Sequence, residues 1–265
     1  MWVFFLLLFL LLLYLFLIFP GRGTKASVFR GLYIAHRGLH SENITENTLA
    51  AFAAAVDKGF GIELDVQLSF DGVAVVCHDS DLKRVFGIDK KVSSFMASDL
   101  EKIGVPSFAS VLELVAAKVP MIVELKGENA DITVCEKAAE LLDRYNGIYC
   151  VESFNPLYVY WFRKHRPEVI RGQLSTRFTR NKHSGSCVLH FFLRNLLCNC
   201  LSRPDFIAYE YKYGTSLSLR LCGILGAEKF CWTLRSEDEV KSAQKYFSAF
   251  IFEKFIPDGK ESFVL

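Results

Sequence analysis

Short apolar runs alternate with longer amphipathic segments along most of this chain, and the alternation predicts its secondary structure. The short runs predict strands at residues 32–36, 61–66, 120–125, 148–152, 169–173, 205–209, 229–232 and 249–252. The longer segments predict helices at residues 48–58, 107–118, 131–145, 156–165, 188–200, 216–225 and 236–246. Eight strands separated by helices are typical of an α/β fold of the (β/α)8 TIM barrel type, which we expect here.

A doubly wound parallel sheet is the alternative α/β fold. It would carry a Gly-x-Gly-x-x-Gly turn after its first strand, and no such turn follows residues 32–36. A chain of 265 residues is long enough to form one complete barrel with a full core. The barrel is therefore the better prediction.

One turn interrupts the regular alternation after the second predicted strand. Asp71-Gly72 lies between apolar residues, which is a strong hairpin signal. Such a hairpin would return His78 close to Asp65. The polar stretch that follows is interpreted as part of a small insertion, at about residues 67–106, that covers the mouth of the barrel. Substrate selectivity is expected to lie in a loop region of this kind.

The first residues form an apolar run, since no charged side chain occurs from Trp2 to Phe19. As a helix these eighteen residues would span about 27 Å, against roughly 30 Å for a hydrocarbon core. A signal peptide is the alternative, but no basic residue precedes the run and no Ala-x-Ala site follows it. We therefore expect a transmembrane anchor at 1–20, a linker at 21–30, a barrel at 31–257 and a tail at 258–265.

Charge and cysteine usage suggest the surroundings of the protein. Arg22, Lys25 and Arg30 follow the apolar run, so the positive-inside rule places a single-pass protein with its catalytic domain in the cytoplasm. The eight cysteines are scattered and many lie inside apolar runs, which is typical of reduced core thiols. A net charge of +2 gives no reason to expect nucleic acid as a partner, and the oligomeric state is left open.

Charged residues occupy the ends of several predicted strands. Glu63 and Asp65 are two residues apart and share a face, as do Glu124 and Lys126. Three carboxylates and an ammonium at the ends of apolar strands are too costly to bury without a metal or an anion. His36 lies at a corresponding strand end. Because barrel sites form at the C-terminal ends of strands, we expect one shared site.

The residue types of this set suggest its chemistry. Glu63, Asp65 and Glu124 offer only oxygen ligands, which favours one divalent cation, Mg²⁺ or Ca²⁺, over zinc. Arg37 and Lys126 are suited to a phosphate group, the first through its planar fork and the second as a point charge. The set therefore predicts a hydrolytic phosphate site.

Histidines and strand-end residues complete the predicted site. His36 and His78 titrate near neutral pH and would supply a general base and a general acid. Trp232 ends a strand and is expected to form an apolar wall for the substrate, with a purely structural core role as the alternative. Glu152 and Glu210 also end strands, and no role is assigned to them.

Several motifs together resemble those of the glycerophosphodiester phosphodiesterase family. They are His36-Arg37-Gly38, Glu46-Asn47-Thr48, Glu63-Leu64-Asp65-Val66-Gln67, Asp71-Gly72, His78-Asp79 and Glu124-Leu125-Lys126. The resemblance implies a barrel enzyme of lipid or glycerol metabolism, a phosphoric diester hydrolase that cleaves glycerophosphodiesters to sn-glycerol 3-phosphate and an alcohol. It also implies that the glycerol hydroxyl of the substrate attacks phosphorus, and that water opens the resulting cyclic phosphate.

By motif position, the resemblance implies the roles that the chemistry suggests. They are acid and base for His36 and His78, metal ligands for Glu63, Asp65 and Glu124, and phosphate binding for Arg37 and Lys126. It places Glu46 near the site, where a position beside a helix cap is the alternative. The last predicted strand departs from the family pattern: it ends in Phe252-Glu253, and the Asp-Gly pair that often precedes this strand is missing.

Two other functions are compatible with this sequence. A lysophospholipase D on the same barrel would act on a lipid that still carries an acyl chain, and the apolar segment 188–200 favours it. A non-catalytic membrane-tethered binding module would be expected to lack a catalytic position, whereas every predicted position is filled. The phosphodiesterase is therefore the preferred hypothesis.

Overall fold

The computed structural model describes residues 1–21, 23–127, 131–178 and 186–258. Its strands are β1 (Tyr33–Ala35), β2 (Gly61–Leu68), β3 (Ala74–Val76), β4 (Asp81–Leu82), β5 (Ile88–Lys91), β6 (Met121–Leu125), β7 (Tyr149–Ser153), β8 (Ile170–Ser175), β9 (Phe206–Glu210), β10 (Glu228–Leu234) and β11 (Ala249–Phe252). Its α-helices are α1 (Trp2–Ile18), α2 (Leu49–Asp57), α3 (Lys83–Phe86), α4 (Ala97–Lys102), α5 (Phe108–Val115), α6 (Thr133–Leu142), α7 (Pro156–His165), α8 (Cys187–Arg194), α9 (Asn199–Ser202), α10 (Leu217–Ile224) and α11 (Glu237–Ala243).

Eight of the described strands form a closed parallel barrel. They pair in the order β1-β2-β6-β7-β8-β9-β10-β11, and β11 pairs with β1 to complete the ring. A barrel closed in this way leaves none of these strands at an open edge. The (β/α)8 barrel predicted from the sequence is confirmed, and each of its strands overlaps the range that the apolar runs predicted.

Apolar side chains form separate clusters inside and outside this ring. Alternate strand residues such as Ile62 and Leu64 point outward and pack against the surrounding helices. Inside the ring, the core includes Ile122, Phe206 and Phe230. The barrel is thus filled with side chains in its lower part, as expected for eight strands.

Residues that were expected to be linker close the N-terminal end of the barrel. The segment Gly23–Phe29 forms a 3₁₀ helix, and Ala26 and Phe29 are completely buried. The Phe29 ring lies 5.6 Å from that of Phe230, which stacks on Phe206 at 4.1 Å. The physical reason is that the open end of the barrel would otherwise expose these rings to water. The segment is therefore part of the barrel core.

The predicted hairpin is present after β2. Strands β2 and β3 pair antiparallel, and Gly72 has the left-handed φ of 73° that the turn between them requires. The chain then forms β4, α3, β5 and α4 above the barrel mouth. These elements bury their own apolar cluster, which includes Leu82, Val92 and Leu100. The insertion is therefore a small packed unit and not an irregular loop.

The segment predicted as one helix at 188–200 is divided in two. Helix α8 ends at Arg194, and Leu196 adopts a left-handed φ of 58° before α9 begins. This break allows Leu196 and Leu197 to be buried in the core beside Ile18. Tertiary packing here outweighs the local helical pattern.

The apolar N-terminal run forms α1, whose C-terminal end rests on the barrel. Ile18 is fully buried, and its carbonyl accepts a hydrogen bond of 3.1 Å from the Asn199 side chain. Arg203 donates to the carbonyl of Phe19 at 2.6 Å and lies over the Phe16 ring. The preceding side chains from Trp2 to Leu13 are mostly exposed.

The structure does not support the transmembrane helix expected at 1–20. Helix α1 has 17 residues, about 26 Å of helix, and no helix in the described ranges combines the length and apolar character needed to cross a membrane. The cytoplasmic placement of the barrel stays a prediction. The predicted tail lies outside the described residues from 259 onward.

Replacing Phe29 with Ala should destabilise the whole barrel, because it removes the ring that closes the inner core. We expect the free energy of unfolding in urea to fall by about 3–5 kcal/mol. The neighbouring Val28 is 40% exposed, and Val28→Ala should change it by only about 0.5 kcal/mol. Equal effects for the two variants would show that the segment is a surface linker.

Candidate active site

Strand register brings three glutamates together at the C-terminal end of the barrel. Pairing of β6 with β7 places Glu124 beside Glu152, and pairing of β2 with β6 places Asp65 beside Glu124. Glu63 lies on the same face of β2 as Asp65. Carboxylate oxygens of Glu63, Glu124 and Glu152 all lie within 4.8 Å of one another, and all three residues are buried. We call these three residues the acidic trio.

The acidic trio carries a strong electrostatic penalty. Burial raises the pKa of each carboxyl group, and repulsion from neighbouring carboxylates raises it further. For Glu124 the charge of Lys126 offsets part of this rise, and its pKa is raised to about 7. Glu152 Oε2 has no hydrogen-bond partner among the described residues. A divalent cation would offset the repulsion and give this oxygen a ligand, so the donor set fits a metal that prefers oxygen.

Asp65 differs from the trio because its oxygens face nitrogen donors. Its Oδ2 accepts a hydrogen bond of 2.7 Å from Asn47, and its Oδ1 lies 3.1 Å from Lys126 Nζ. Burial would raise the pKa of Asp65, but the positive charges of Lys126, His78 and Arg37 outweigh it and lower this pKa. Glu152 therefore takes the place in the trio that was expected for Asp65. A metal-binding role for Asp65 stays a prediction.

Glu152 had no assigned role because a lone glutamate at a strand end usually faces water. Its register with Glu124 across β6 and β7 is the signal that could have identified it. The sequence alone could give this register only if the predicted strands 120–125 and 148–152 were aligned with each other residue by residue. Glu210, the other strand-end glutamate without a role, accepts a hydrogen bond from Thr176 and stays outside the trio.

The two predicted phosphate-binding cations lie beside the trio. Lys126 Nζ is 2.5 Å from Glu124 Oε1, and Arg37 Nη1 donates to Glu46 at 2.5 Å. Arg37 has a left-handed φ of 55°, and its backbone N–H donates to Glu63 at 2.9 Å. Non-glycine residues rarely adopt this φ, so the turn at Arg37 is strained. The backbone hydrogen bond to Glu63 fixes Arg37 beside the acidic trio.

Glu46 connects this turn to the insertion. It accepts hydrogen bonds from Arg37 and, at 2.6 Å, from Arg84 of α3. Burial would raise the pKa of Glu46, but the hydrogen bond from Arg84 and the charge of Arg37 lower it to about 2. Arg84 also donates to Asp79 at 2.6 Å. Glu46 therefore holds Arg37, the predicted phosphate-binding arginine, and anchors the insertion at the same time.

Each predicted catalytic histidine contacts a carboxylate through Nδ1. His36 Nδ1 lies 2.5 Å from Glu253, and His78 Nδ1 lies 2.7 Å from Asp79. If Nδ1–H donates in both contacts, Nε2 is left as the reactive nitrogen of both rings. Burial lowers the pKa of both histidines, despite these carboxylates.

Glu253 is the main site residue that sequence reasoning missed. It follows β11, and its other oxygen accepts a hydrogen bond of 2.8 Å from Arg235. Burial would raise its pKa, but the hydrogen bond from His36 and the charge of Arg235 outweigh this effect and lower the pKa. Its position directly after β11 marks it as a strand-end residue, but its contact with His36 follows only from the closure of β11 onto β1, which local patterns do not show.

These groups surround one cavity of about 180 Å³ at the barrel mouth. Seven of the eight residues with roles predicted from sequence line it, namely His36, Arg37, Glu63, His78, Glu124, Lys126 and Trp232. Asp65 lies fully buried beneath them. The Trp232 ring meets Phe154 edge to face at 5.8 Å, and both line the cavity. The cavity thus combines an apolar wall with acidic, basic and imidazole groups.

Comparison with known proteins agrees with this arrangement. The family model for the glycerophosphoryl diester phosphodiesterase family matches residues 36–252. The chain belongs to this family. The structure of a phosphodiesterase from Oleispira antarctica, in complex with the product sn-glycerol-3-phosphate, has a TM-score of 0.68 at 20% identity. It covers 86% of this chain and 94% of that chain, which supports the fold.

Two curated relatives match a shorter part. A glycerophosphodiester phosphodiesterase of Caldanaerobacter subterraneus is 39% identical over 101 residues, which is 33% of this chain and 41% of that protein. The rat protein named Lysophospholipase D GDPD1 is 33% identical over 156 residues, which is 52% of this chain and 49% of that protein. The chain thus spans less than half of the length of each.

Removing the carboxylate of Glu253 should impair this phosphodiesterase-family site through His36. We expect Glu253→Ala to lower turnover of a glycerophosphodiester about tenfold to a hundredfold with little change in KM, because the imidazole loses its orienting acceptor. Glu253→Gln, which retains an acceptor, should recover part of this loss. Nitrogen-15 NMR should show mixed His36 tautomers in Glu253→Ala. Glu210→Gln is the matched control, and an unchanged tautomer and turnover in Glu253→Ala would contradict the assignment.

Without a cation, the acidic trio should make stability depend on pH. The pKa of Glu124 rises from 4.5 to about 7 on folding, so its stabilising contribution is complete below about pH 4.5 and is lost as pH rises through 7. In chelator, the free energy of unfolding in urea should therefore fall from pH 5 to pH 8, and it should fall more for the wild type than for Glu124→Gln. Excess Mg²⁺ or Ca²⁺ should reduce the difference. Identical pH dependence in both proteins would contradict this account.

Proposed function

We propose that this chain hydrolyses glycerophosphodiesters to sn-glycerol 3-phosphate and an alcohol, using one divalent cation. The observation that carries the proposal is the single cavity in which His36 and His78 meet the acidic trio, Arg37 and Lys126. A phosphodiester needs its charge neutralised, one proton removed and one proton supplied, and these groups provide all three. The name of the Caldanaerobacter relative and the product bound to the Oleispira enzyme agree with this substrate class.

Glu63, Glu124 and Glu152 would hold the cation, and Asp65 is retained as a proposed further ligand. Their oxygen donors suit Mg²⁺ or Ca²⁺. When bound, the cation supplies positive charge against the developing charge on the phosphoryl oxygens. The planar guanidinium of Arg37 would donate hydrogen bonds to two of these oxygens, and Lys126 would add a further positive charge.

The histidines would divide the proton transfers between them. Neutral His36, held by Glu253 at 2.5 Å, has Nε2 free to accept the proton of the attacking hydroxyl. Burial lowers the pKa of His78, so it would act through the protonated fraction that the nearby Asp65 and Asp79 carboxylates favour, and give its Nε2 proton to the oxygen of the departing alcohol. In the path that the family resemblance implies, the glycerol hydroxyl attacks first and water then opens the cyclic phosphate.

The apolar wall fits the glycerol half of the substrate. Trp232 and Phe154 present ring surfaces on which the glycerol carbons can pack. The indole N–H of Trp232 is buried and has no hydrogen-bond partner among the described residues, so it is available to a glycerol hydroxyl. The predicted substrate wall thus has both an apolar surface and a donor.

A lysophospholipid is the second candidate substrate, because a line of rings leads from the cavity to an exposed apolar helix. Phe154 contacts Phe178 at 6.0 Å, and Phe178 stacks on His190 of α8 at 5.4 Å. On the outer side of α8, Phe191 and Phe192 are exposed, and an acyl chain could pack there. The name of the rat relative agrees with this alternative.

A release assay on glycerophosphocholine and lysophosphatidylcholine, with and without chelator, tests both candidates. We expect alcohol release from the glycerophosphodiester that chelator abolishes and excess cation restores. His36→Ala should reduce it by about 10²–10⁴-fold because the general base is lost. The exposed His165 supplies the control variant His165→Ala, which should retain full turnover. Hydrolysis of the lysophospholipid alone would support the second candidate, and turnover independent of His36 would refute the assigned site.

A further inference from the structure

A second cavity of about 510 Å³ lies next to the catalytic one. Its wall includes Ser80, Lys91 and Ser93 of the insertion and Asp131, which precedes α6. Its volume is in the range of small-molecule binding sites, about 300–1,000 Å³. The proposed chemistry takes place in the smaller cavity and leaves this larger one without a role.

The two cavities meet at His78 and Lys126, which line both. In the proposed reaction, Lys126 binds the phosphate and His78 protonates the departing alcohol. The phosphate would therefore lie at the boundary between the cavities. If the glycerol half packs on Trp232 in the smaller cavity, the alcohol half extends past His78 into the larger one.

The segment that carries His78 is fixed between these cavities. Gln67 lies in the wall of the larger cavity, and its side-chain amide donates to the carbonyls of Cys77 and Asp79 at 2.7 and 2.8 Å. These are the residues on either side of His78. The imidazole is therefore held where the oxygen of a departing alcohol would cross from one cavity to the other.

The chemistry of the wall indicates the class of alcohol. Lys91 is exposed and forms no ion pair with any described residue, so its ammonium is available to a ligand. The Ser80 and Ser93 hydroxyls are also exposed and can donate or accept hydrogen bonds. Asp131 Oδ1 is already used, since it accepts hydrogen bonds from the backbone and side chain of Thr133 at the start of α6.

A quaternary ammonium group would find little to bind in this wall. Such groups are recognised by several aromatic faces, and Tyr158 is the aromatic residue among the described wall residues. The two lysines would repel the cation, and Asp131 would attract it only from the rim. Hydroxyl groups, in contrast, can accept from Lys91 and exchange hydrogen bonds with the serines.

We propose that the larger cavity binds the alcohol half of the substrate and that Lys91 with Ser80 and Ser93 selects an uncharged polyol, such as glycerol or inositol, over a quaternary amine such as choline. This assignment rests on the proposed phosphodiesterase function. In the cleavage step the attacking hydroxyl gives its proton to His36 and its oxygen bonds to phosphorus. The bond between phosphorus and the alcohol oxygen breaks, and the alcohol oxygen keeps the electron pair and takes the proton from His78. The released polyol then leaves through the larger cavity.

The test compares kcat/KM for glycerophosphoglycerol with kcat/KM for glycerophosphocholine in the full chain. We expect the wild type to prefer the glycerol ester. Lys91→Glu should lower this preference about threefold to tenfold at low salt, and Lys91→Gln should lower it less. Because Lys91 is exposed, 1 M salt should reduce the effect of the charge reversal. Lys90→Glu is the matched control, since Lys90 is the adjacent residue of β5, contacts the Phe95 ring and lies outside the wall.

The outcomes separate this inference from the function on which it rests. Hydrolysis of both esters with a ratio that Lys91→Glu leaves unchanged, or that Lys90→Glu changes equally, overturns the assignment of the cavity and leaves the phosphodiesterase function intact. A wild-type preference for the choline ester also overturns it. Hydrolysis of neither ester, with cation present, refutes the proposed function and the cavity assignment with it.

Discussion

The arrangement at the barrel mouth depends on how the protein accommodates negative charge that its own strand register concentrates there. The closed sheet fixes Glu63, Glu124 and Glu152 within 4.8 Å, in a buried position where ionised carboxylates are unfavourable. Lys126 offsets part of this charge, and it is shared between Glu124 and Asp65. The remaining charge favours a divalent cation. Once that cation is bound, the same mouth becomes favourable for a phosphate.

The apolar lower half of the barrel makes this concentration of charge structurally tolerable. Phe29 closes the N-terminal end and packs on Phe230, so the interior below the site is filled with apolar side chains. Strands held by such a core cannot move apart to relieve repulsion between their ends. The carboxylates must therefore change protonation or bind a cation, and both responses change the chemistry of the site and leave its geometry in place.

Local sequence patterns predicted the strands and seven of the residues that line the cavity, because the relevant geometry is local. A period of two places Glu63 with Asp65, and an Asp-Gly turn returns His78 to the strand end. Glu152 and Glu253 could not be assigned in the same way, because their roles depend on pairing between distant segments. Glu253 reaches His36 only because β11 closes on β1. The burial of residues 23–29 is likewise a consequence of barrel closure.

The two histidines are held by different parts of the molecule, and this asymmetry has a functional consequence. His36 is oriented by Glu253, which belongs to the closed barrel. His78 is oriented by Asp79, which Arg84 of the insertion holds. In the proposed reaction, changes in the insertion would therefore alter the proposed general acid and the proposed alcohol-binding wall together, and the proposed general base would keep its position. Selection of the alcohol and protonation of its oxygen would then be coupled through one segment.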